Sequence, residues 1–155
     1  MLTSIQVTKE SEKFPEIVRL YRAAFPREER VALELLLETD GPYDFIACYD
    51  GEMLCGFYST LTMGDITHVL FLAVEETLRG NGYGSQILDV VRRAYPDKRL
   101  ILDVEMPDPE AENQEQRTKR IAFYERNGYR KSGISYGWRG VMYEILILNG
   151  KITEE

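Results

Sequence analysis

The 155-residue chain has the length of one ordinary domain, enough to bury a core without disulfides or a structural metal. Hydrophobic residues at 44% and charged residues at 29% exclude the disordered and membrane-spanning classes, and no apolar run approaches the roughly 18 residues of a span. A net charge of -7, from 19 basic and 26 acidic residues, disfavours nucleic acid and anionic lipid as partners and suits an amine-bearing small molecule better, although a local basic pocket can still hold phosphate.

The first thirty residues carry Lys9, Glu10, Glu12 and Lys13 and lack the apolar core of a signal peptide. The cytoplasm is therefore the expected compartment, and residues 1–155 are read as one domain. "LTSIQV" reads as a first strand. In "SEKFPEIVRLYRAAF", Phe14, Ile17, Val18, Tyr21, Ala24 and Phe25 recur at helical spacing, with Ser11 as the expected cap and Pro15 in the first turn. Pro26 ends that helix, and "REERVALELLLE" predicts a second, closed by "TDGP".

"YDFIACYDGEMLCGFYSTLTM" predicts two strands joined at Asp50-Gly51, a pair that tolerates positive φ in a tight turn. Cys48 and Cys55 fall on this hairpin and read as reduced, packed thiols rather than a bridge or a metal site. "THVLFLAVEE" is nearly continuously apolar and so predicts a central fourth strand. After the loop "RGNGYGS", Ile87, Leu88, Val91, Ala94 and Tyr95 repeat as a helix face. "KRLILDVEM" is a fifth strand, and the acidic "PDPEAENQ" a loop whose Asn113 is the expected cap of the helix "EQRTKRIAFYERN", stopped by "NGY". "YRKSGISYGW" and "GVMYEILIL" complete the chain as strands, with Gly137 and Gly140 marking their turn. The order is β-α-α-β-β-β-α-β-α-β-β, an α/β (α+β) alternation that implies a mixed sheet covered by helices.

A glycine-rich turn between a buried strand and a helix points backbone N–H groups outward where the helix dipole adds positive charge, so its natural guest is an anion such as phosphate. A Walker loop would end in Gly-Lys-Ser/Thr, whereas Gly82-Tyr83-Gly84-Ser85 has no lysine. A dinucleotide fingerprint would follow the first strand with a different glycine spacing; Gly80, Gly82 and Gly84 are evenly spaced and follow the fourth. His68, the single histidine, has no cysteine or carboxylate at ligand spacing, and no metal site is expected. It reads as structural, with a minor claim as a base.

Arg79, Gly82 and Gly84 match the Gln/Arg-x-x-Gly-x-Gly/Ala signature of the GNAT superfamily of N-acetyltransferases. "FLAVEETLRGNGYG" resembles that family's fourth strand and loop, and "IAFYERNGY" its penultimate helix. The resemblance implies the GNAT fold: a mostly antiparallel seven-stranded sheet with helices on both faces, splayed between strands 4 and 5. It also implies acetyl-CoA as donor co-substrate. The amides of Arg79, Gly80, Asn81, Gly82, Tyr83, Gly84 and Ser85 would then hold the coenzyme's pyrophosphate, with the Arg79 side chain adding a charge-assisted contact. Leu72, Ala73 and Val74 would offer strand-edge groups to the pantetheine arm in the manner of an added strand, and one of their N–H groups would face the oxyanion. "EMPDP" is suitable chemistry for breaking the ladder between the two strands.

The same resemblance makes Tyr124 the general acid. Its phenol at about 10 against a thiol at about 8.5 makes full proton transfer uphill by roughly 2 kcal/mol, so hydrogen-bond stabilisation of the leaving thiolate is the larger part. An alkyl ammonium near 10.4 needs a base. Glu105, at the end of the fifth strand, is favoured, with Asp103, Glu75 and His68 as the other candidates, or water. Arg117 stands seven residues before Tyr124, where the family often has Asn, and could meet phosphate or the loop acids instead. Tyr21, Phe25, Glu28, Glu29, Arg30, Tyr136 and Trp138 fall where such folds wall the acceptor. The expected activity is direct acetyl transfer to a primary amine of a small molecule, with no nucleic-acid or membrane partner and a homodimer left open. The alternatives are a non-catalytic acyl-CoA sensor and an enzyme acetylating protein lysines or N-termini.

Overall fold

The computed structural model of the protein describes residues 2–25, 33–38 and 41–150. Its elements are β1 (Thr3–Gln6), α1 (Phe14–Ala24), α2 (Leu33–Leu36), β2 (Tyr43–Asp50), β3 (Met53–Met63), β4 (Ile66–Val74), a 3₁₀ turn (Glu76–Leu78), α3 (Tyr83–Ala94), β5 (Arg99–Glu105), α4 (Gln114–Arg126), β6 (Arg130–Trp138) and β7 (Val141–Leu148). This is the order expected from the sequence. The strands form one seven-stranded sheet in the order β1-β2-β3-β4-β5-β7-β6. Every neighbouring pair is antiparallel except β4 and β5. Among the described residues no helix is long and apolar enough to cross a membrane.

Two apolar clusters sandwich the sheet. On one face Ile87, Leu88 and Val91 of α3 and Ile121 of α4 pack with Val69, Leu100, Leu102, Val104 and Leu146. On the other, Ile17, Leu20 and Tyr21 of α1 and Leu36 of α2 pack with Phe45, Phe57, Phe71 and Ala73. Tyr21 stands edge-on to Phe71 at 5.0 Å between ring centroids, and Phe45 stacks on Phe57 at the same distance. Helices thus cover both faces, as the expected fold requires.

Local details differ from expectation for identifiable reasons. Asp50 pairs with Met53, so the hairpin turn is Gly51-Glu52, with Gly51 at φ 62°. The β6–β7 turn is Arg139-Gly140, at φ 50° and 81°, the positive pair a two-residue hairpin needs; Gly137 instead pairs with Met142 inside the ladder. Ser11 does not cap α1: its hydroxyl accepts from the Thr8 N–H at 2.9 Å, and the helix begins at Lys13 without a side-chain cap. Ala94, in the last turn of α3, is exposed rather than part of the packed face. Gly128, at φ 94°, ends α4 as expected.

Candidate active site

The sheet opens where its one parallel pair fails. β4 and β5 pair only at Ile66–Arg99, Thr67–Leu100 and His68–Ile101, so the edge of β4 from Val69 to Val74 has no partner in β5. The expected cause, "EMPDP", begins only at Glu105 and is too late in the chain. The break coincides instead with a bulge in β4: Val69 faces Thr60 and Phe71 faces Ser59 on β3, which leaves Leu70 as the extra residue. A bulge bends and twists its strand. It also exchanges faces, since Val69 packs under α3 whereas Phe71 and Ala73 pack under α1.

Leu72, Ala73 and Val74 lie on that unpaired stretch and keep their pairing to Tyr58, Phe57 and Gly56 of β3. The Val74 carbonyl accepts a 3.3 Å hydrogen bond from Arg79 Nε, which folds the exposed Arg79 side chain back towards the strand end. Glu75, just past β4, is tied by its N–H to the Cys55 carbonyl at 2.8 Å.

The glycine loop has the geometry of an anion nest. Gly80 and Gly82 sit at φ 84° and 83°, and Gly82 is the left-handed N-cap of α3. The first backbone bond of the helix runs from Gln86 N–H to the Gly82 carbonyl. The six preceding N–H groups, from Gly80 through Ser85, donate to no group among the described residues. Successive unspent amides at a helix N-terminus attract an anion.

Side chains brace this loop. Asn81 Nδ2 donates to the Leu78 carbonyl at 3.0 Å, and Ser85 Oγ accepts from Asn127 Nδ2 at 3.2 Å. The Tyr83 hydroxyl donates to Asp50 at 2.8 Å, and that bond, with some desolvation, pushes its pKa up to about 12. Gly84 is required by a close approach, since a Cβ there would stand 2.9 Å from Phe123 Cζ of α4.

Tyr124 is half-buried in the cluster that also holds Leu72 and Val74 of β4 and Leu102 and Val104 of β5, the strands that part. Its ring lies 5.2 Å from Phe123 and 6.0 Å from Tyr129. Burial raises its pKa above the usual phenol value, with Arg120 opposing, so the hydroxyl keeps its proton at neutral pH. It makes no hydrogen bond to a described side chain.

Glu105 is not a free carboxylate. Arg117 reaches it at 2.9 Å, Arg120 at 3.6 Å and Asn113 Nδ2 at 3.2 Å. Arg117, only 11% exposed, also donates to Asn113 Oδ1 at 2.8 Å and to the Met106 carbonyl at 3.1 Å. Asn113 therefore stands at the N-cap position of α4 without capping it through its side chain, and Arg117 is engaged by Glu105, Asn113 and Met106 rather than by the loop acids. These residues clamp the end of β5 to the first turn of α4.

Sequence reasoning did not assemble a further group at the foot of the opening. His68 Nε2 lies 3.4 Å from Asp103 Oδ2, and the Tyr136 hydroxyl donates to the same oxygen at 2.7 Å. Burial acts to raise the Asp103 pKa, but the bonds from His68 and Tyr136 outweigh it and hold the carboxyl below its ordinary value. Asp103 was legible as a face-mate of Glu105 by period two; its meeting with Tyr136 was not, because β7 inserts between β5 and β6. Tyr143 stacks on Tyr136 at 5.4 Å, and Trp138, 49% exposed, follows on β6. Glu28, Glu29 and Arg30 lie outside the described residues. Cys48 and Cys55 are both free and buried, and burial, with Cys55 adjacent, pushes the Cys48 thiol up to about 12.

Comparison with known proteins agrees with this architecture. Residues 41–131 match the family described as the acetyltransferase (GNAT) domain, while no curated protein matches the chain. Among solved structures, a GNAT-family protein from Bacteroides thetaiotaomicron superposes with a TM-score of 0.82 at 21% identity, covering 99% of this chain and 90% of its own. An aminoglycoside 6'-N-acetyltransferase complexed with coenzyme A gives 0.70 at 17% identity, covering 94% and 96%. The ribosomal-protein-S18-alanine N-acetyltransferase of Escherichia coli gives 0.64 at 15%, covering 100% and 97%. With the family matched over more than half its length and the fold shared almost end to end, the chain belongs to the GNAT acetyltransferases.

Proposed function

We propose that this acetyltransferase moves an acetyl group from acetyl-CoA directly to a primary amine of a small molecule, in a ternary complex and without a covalent enzyme intermediate. The observation that carries the proposal is the placement of six unspent N–H groups, Gly80 to Ser85, beside the unpaired edge of β4. An elongated donor with an anionic middle and an amide-bearing arm fits both features at once. The loop holds the pyrophosphate, with unspent donors of Arg79 within reach of it. Leu72, Ala73 and Val74 hold the arm as an added strand, and one of their N–H groups meets the carbonyl oxygen as it gains charge. Coenzyme A in the solved structure of the aminoglycoside enzyme supports the choice of anion.

Tyr124 donates a hydrogen bond to the departing thiolate. Its half-buried, protonated phenol supports this role better than full proton transfer, which is uphill by at least roughly 2 kcal/mol. Glu105, whose oxygens are spent on Arg117, Arg120 and Asn113, serves in this reading to fix β5 against α4 rather than to take a proton. The buried, poorly nucleophilic cysteines support direct transfer and a reducing compartment such as the cytoplasm.

The acceptor reading rests on chemistry beside the opening, where the Asp103 carboxylate and the aromatic rings of Tyr136, Tyr143 and Trp138 suit a cationic, partly apolar amine. The exposure of Trp138 and Tyr136 also favours a second reading, a protein amine. Thiol release from acetyl-CoA, screened over polyamines, amino acids, aminoglycosides, arylamines and peptides, separates these. Turnover on a small amine is expected; turnover on peptides alone would transfer the assignment to the second reading, and binding without turnover on any amine would make the chain a sensor.

A further inference from the structure

His68, Asp103 and Tyr136 come from three different strands, β4, β5 and β6, and meet where the sheet opens. His68 is the last residue of β4 paired to β5, and its side chain crosses to Asp103 two residues beyond the last paired position of that strand. Both side chains are about one-quarter exposed, at 28% and 27%, so the group is accessible from the opening yet partly shielded. The next residues of β4 are the bulge and the unpaired edge that the proposed donor would occupy. We propose that His68 is the general base of the acetyl transfer, with Asp103 and Tyr136 as positioning residues that fix its tautomer. This rests on the acetyltransferase reading above.

The argument is one of hydrogen-bond accounting. Asp103 Oδ2 accepts from Tyr136 at 2.7 Å and faces His68 Nε2 at 3.4 Å. An ionised carboxylate only accepts, so this contact favours the neutral imidazole tautomer with its proton on Nε2 and the lone pair on Nδ1. Asp103 is held ionised because the bonds from His68 and Tyr136 outweigh its burial. The residues opposite His68 on β3 and opposite Asp103 on β7 are Leu61 and Ile145, both apolar. Asp103, with Tyr136 bonded to it, is the charged group in contact with the imidazole. The remaining acids expected as bases are placed less well, with Glu105 clamped by two arginines and Glu75 beyond the end of β4.

In the step itself a neutral amine nitrogen bonds to the thioester carbonyl carbon and becomes positively charged. His68 Nδ1 takes one of its protons as the carbon–sulfur bond breaks. The sulfur leaves with the bonding pair, hydrogen-bonded by Tyr124, and takes a proton from solvent; the imidazolium, stabilised by Asp103, returns its proton to solvent. Charge and protons balance.

The single histidine makes the test clean. Nitrogen-15 NMR of the whole protein reads the tautomer of His68 without any knowledge of the acceptor: the neutral ring is expected as the Nε2–H form, shifting towards a tautomer mixture in Asp103→Asn and, less, in Tyr136→Phe. A predominant Nδ1–H form would overturn the assignment. With an amine found active, His68→Ala is expected to lose at least tenfold in kcat, to lose a limb present in the wild-type pH profile, and to regain activity with added imidazole while acetyl-CoA affinity is unchanged. An unchanged pH profile without imidazole rescue would refute His68 as base while leaving the acetyltransferase reading intact. Failure of the wild type on every amine would instead remove that reading, and with it the base.

Discussion

At the scale of single residues, the proposed reaction leans on a hydroxyl and a carboxylate whose surroundings set their protonation. Tyr124→Phe removes the donor to the departing thiolate and leaves the ring packed against Phe123 and Tyr129. Steady-state kinetics are expected to show at least a tenfold fall in kcat with acetyl-CoA affinity little changed; unchanged turnover would end that assignment. Asp103 ties the site to acid stability. Its folded pKa is depressed, so its contribution is present above the unfolded value of about 3.9 and is lost as pH falls through the lower folded value. Urea midpoints of wild type and Asp103→Asn should therefore differ at neutral pH and converge in strong acid. The place of Tyr124 in α4 was legible from its motif. The occupancy of Glu105 was not, because nothing in the order of residues says that Arg117, one turn into α4, reaches back to a strand end; that depends on how α4 docks.

At the scale of elements, glycines show where backbone rather than side chain sets the structure. Gly82 caps α3 at φ 83°, and a Cβ there would meet nothing within 4 Å. Gly82→Ala therefore carries only the left-handed conformational cost of about 1–2 kcal/mol, yet it perturbs the amide nest. Calorimetric titration is expected to show acetyl-CoA binding weakened several-fold against a modest loss of stability. Gly56→Ala is the opposite case. Its Cβ would stand 2.1 Å from the Ala73 carbonyl oxygen, and the cost is expected at about 3 kcal/mol, a fall of roughly 6–12 °C in the thermal midpoint for a domain of this size. The loop's glycines were visible in the sequence, and so was the central place of β4. The bulge at Leu70 was not, because "VLFLAV" is apolar at every position and carries no alternation from which a change of face could be read.

At the scale of the whole molecule, the opening lies at the one parallel pair in an otherwise antiparallel sheet, and two apolar clusters cover the sheet on either face. α3 and α4 carry the proposed donor loop and Tyr124 on one side, while His68, Asp103 and the aromatic residues of β6 and β7 lie towards the other. The element order made this architecture readable in advance, since strand and helix alternate with clear turn chemistry. The group proposed to meet the acceptor was not readable, because its side chains come from separate strands brought together by the crossing of β7 between β5 and β6. Binding of the donor to the folded state alone should raise stability by about 2.7 kcal/mol at a hundredfold excess over Kd. The most direct test of the central claim follows the acetyl group itself, by mass spectrometry of both the protein and an amine acceptor during turnover of acetyl-CoA. One acetylated amine per thiol released, with the protein mass unchanged throughout, is the expected result; a transient acetyl-protein adduct, or thiol release without an acetylated amine, would contradict it.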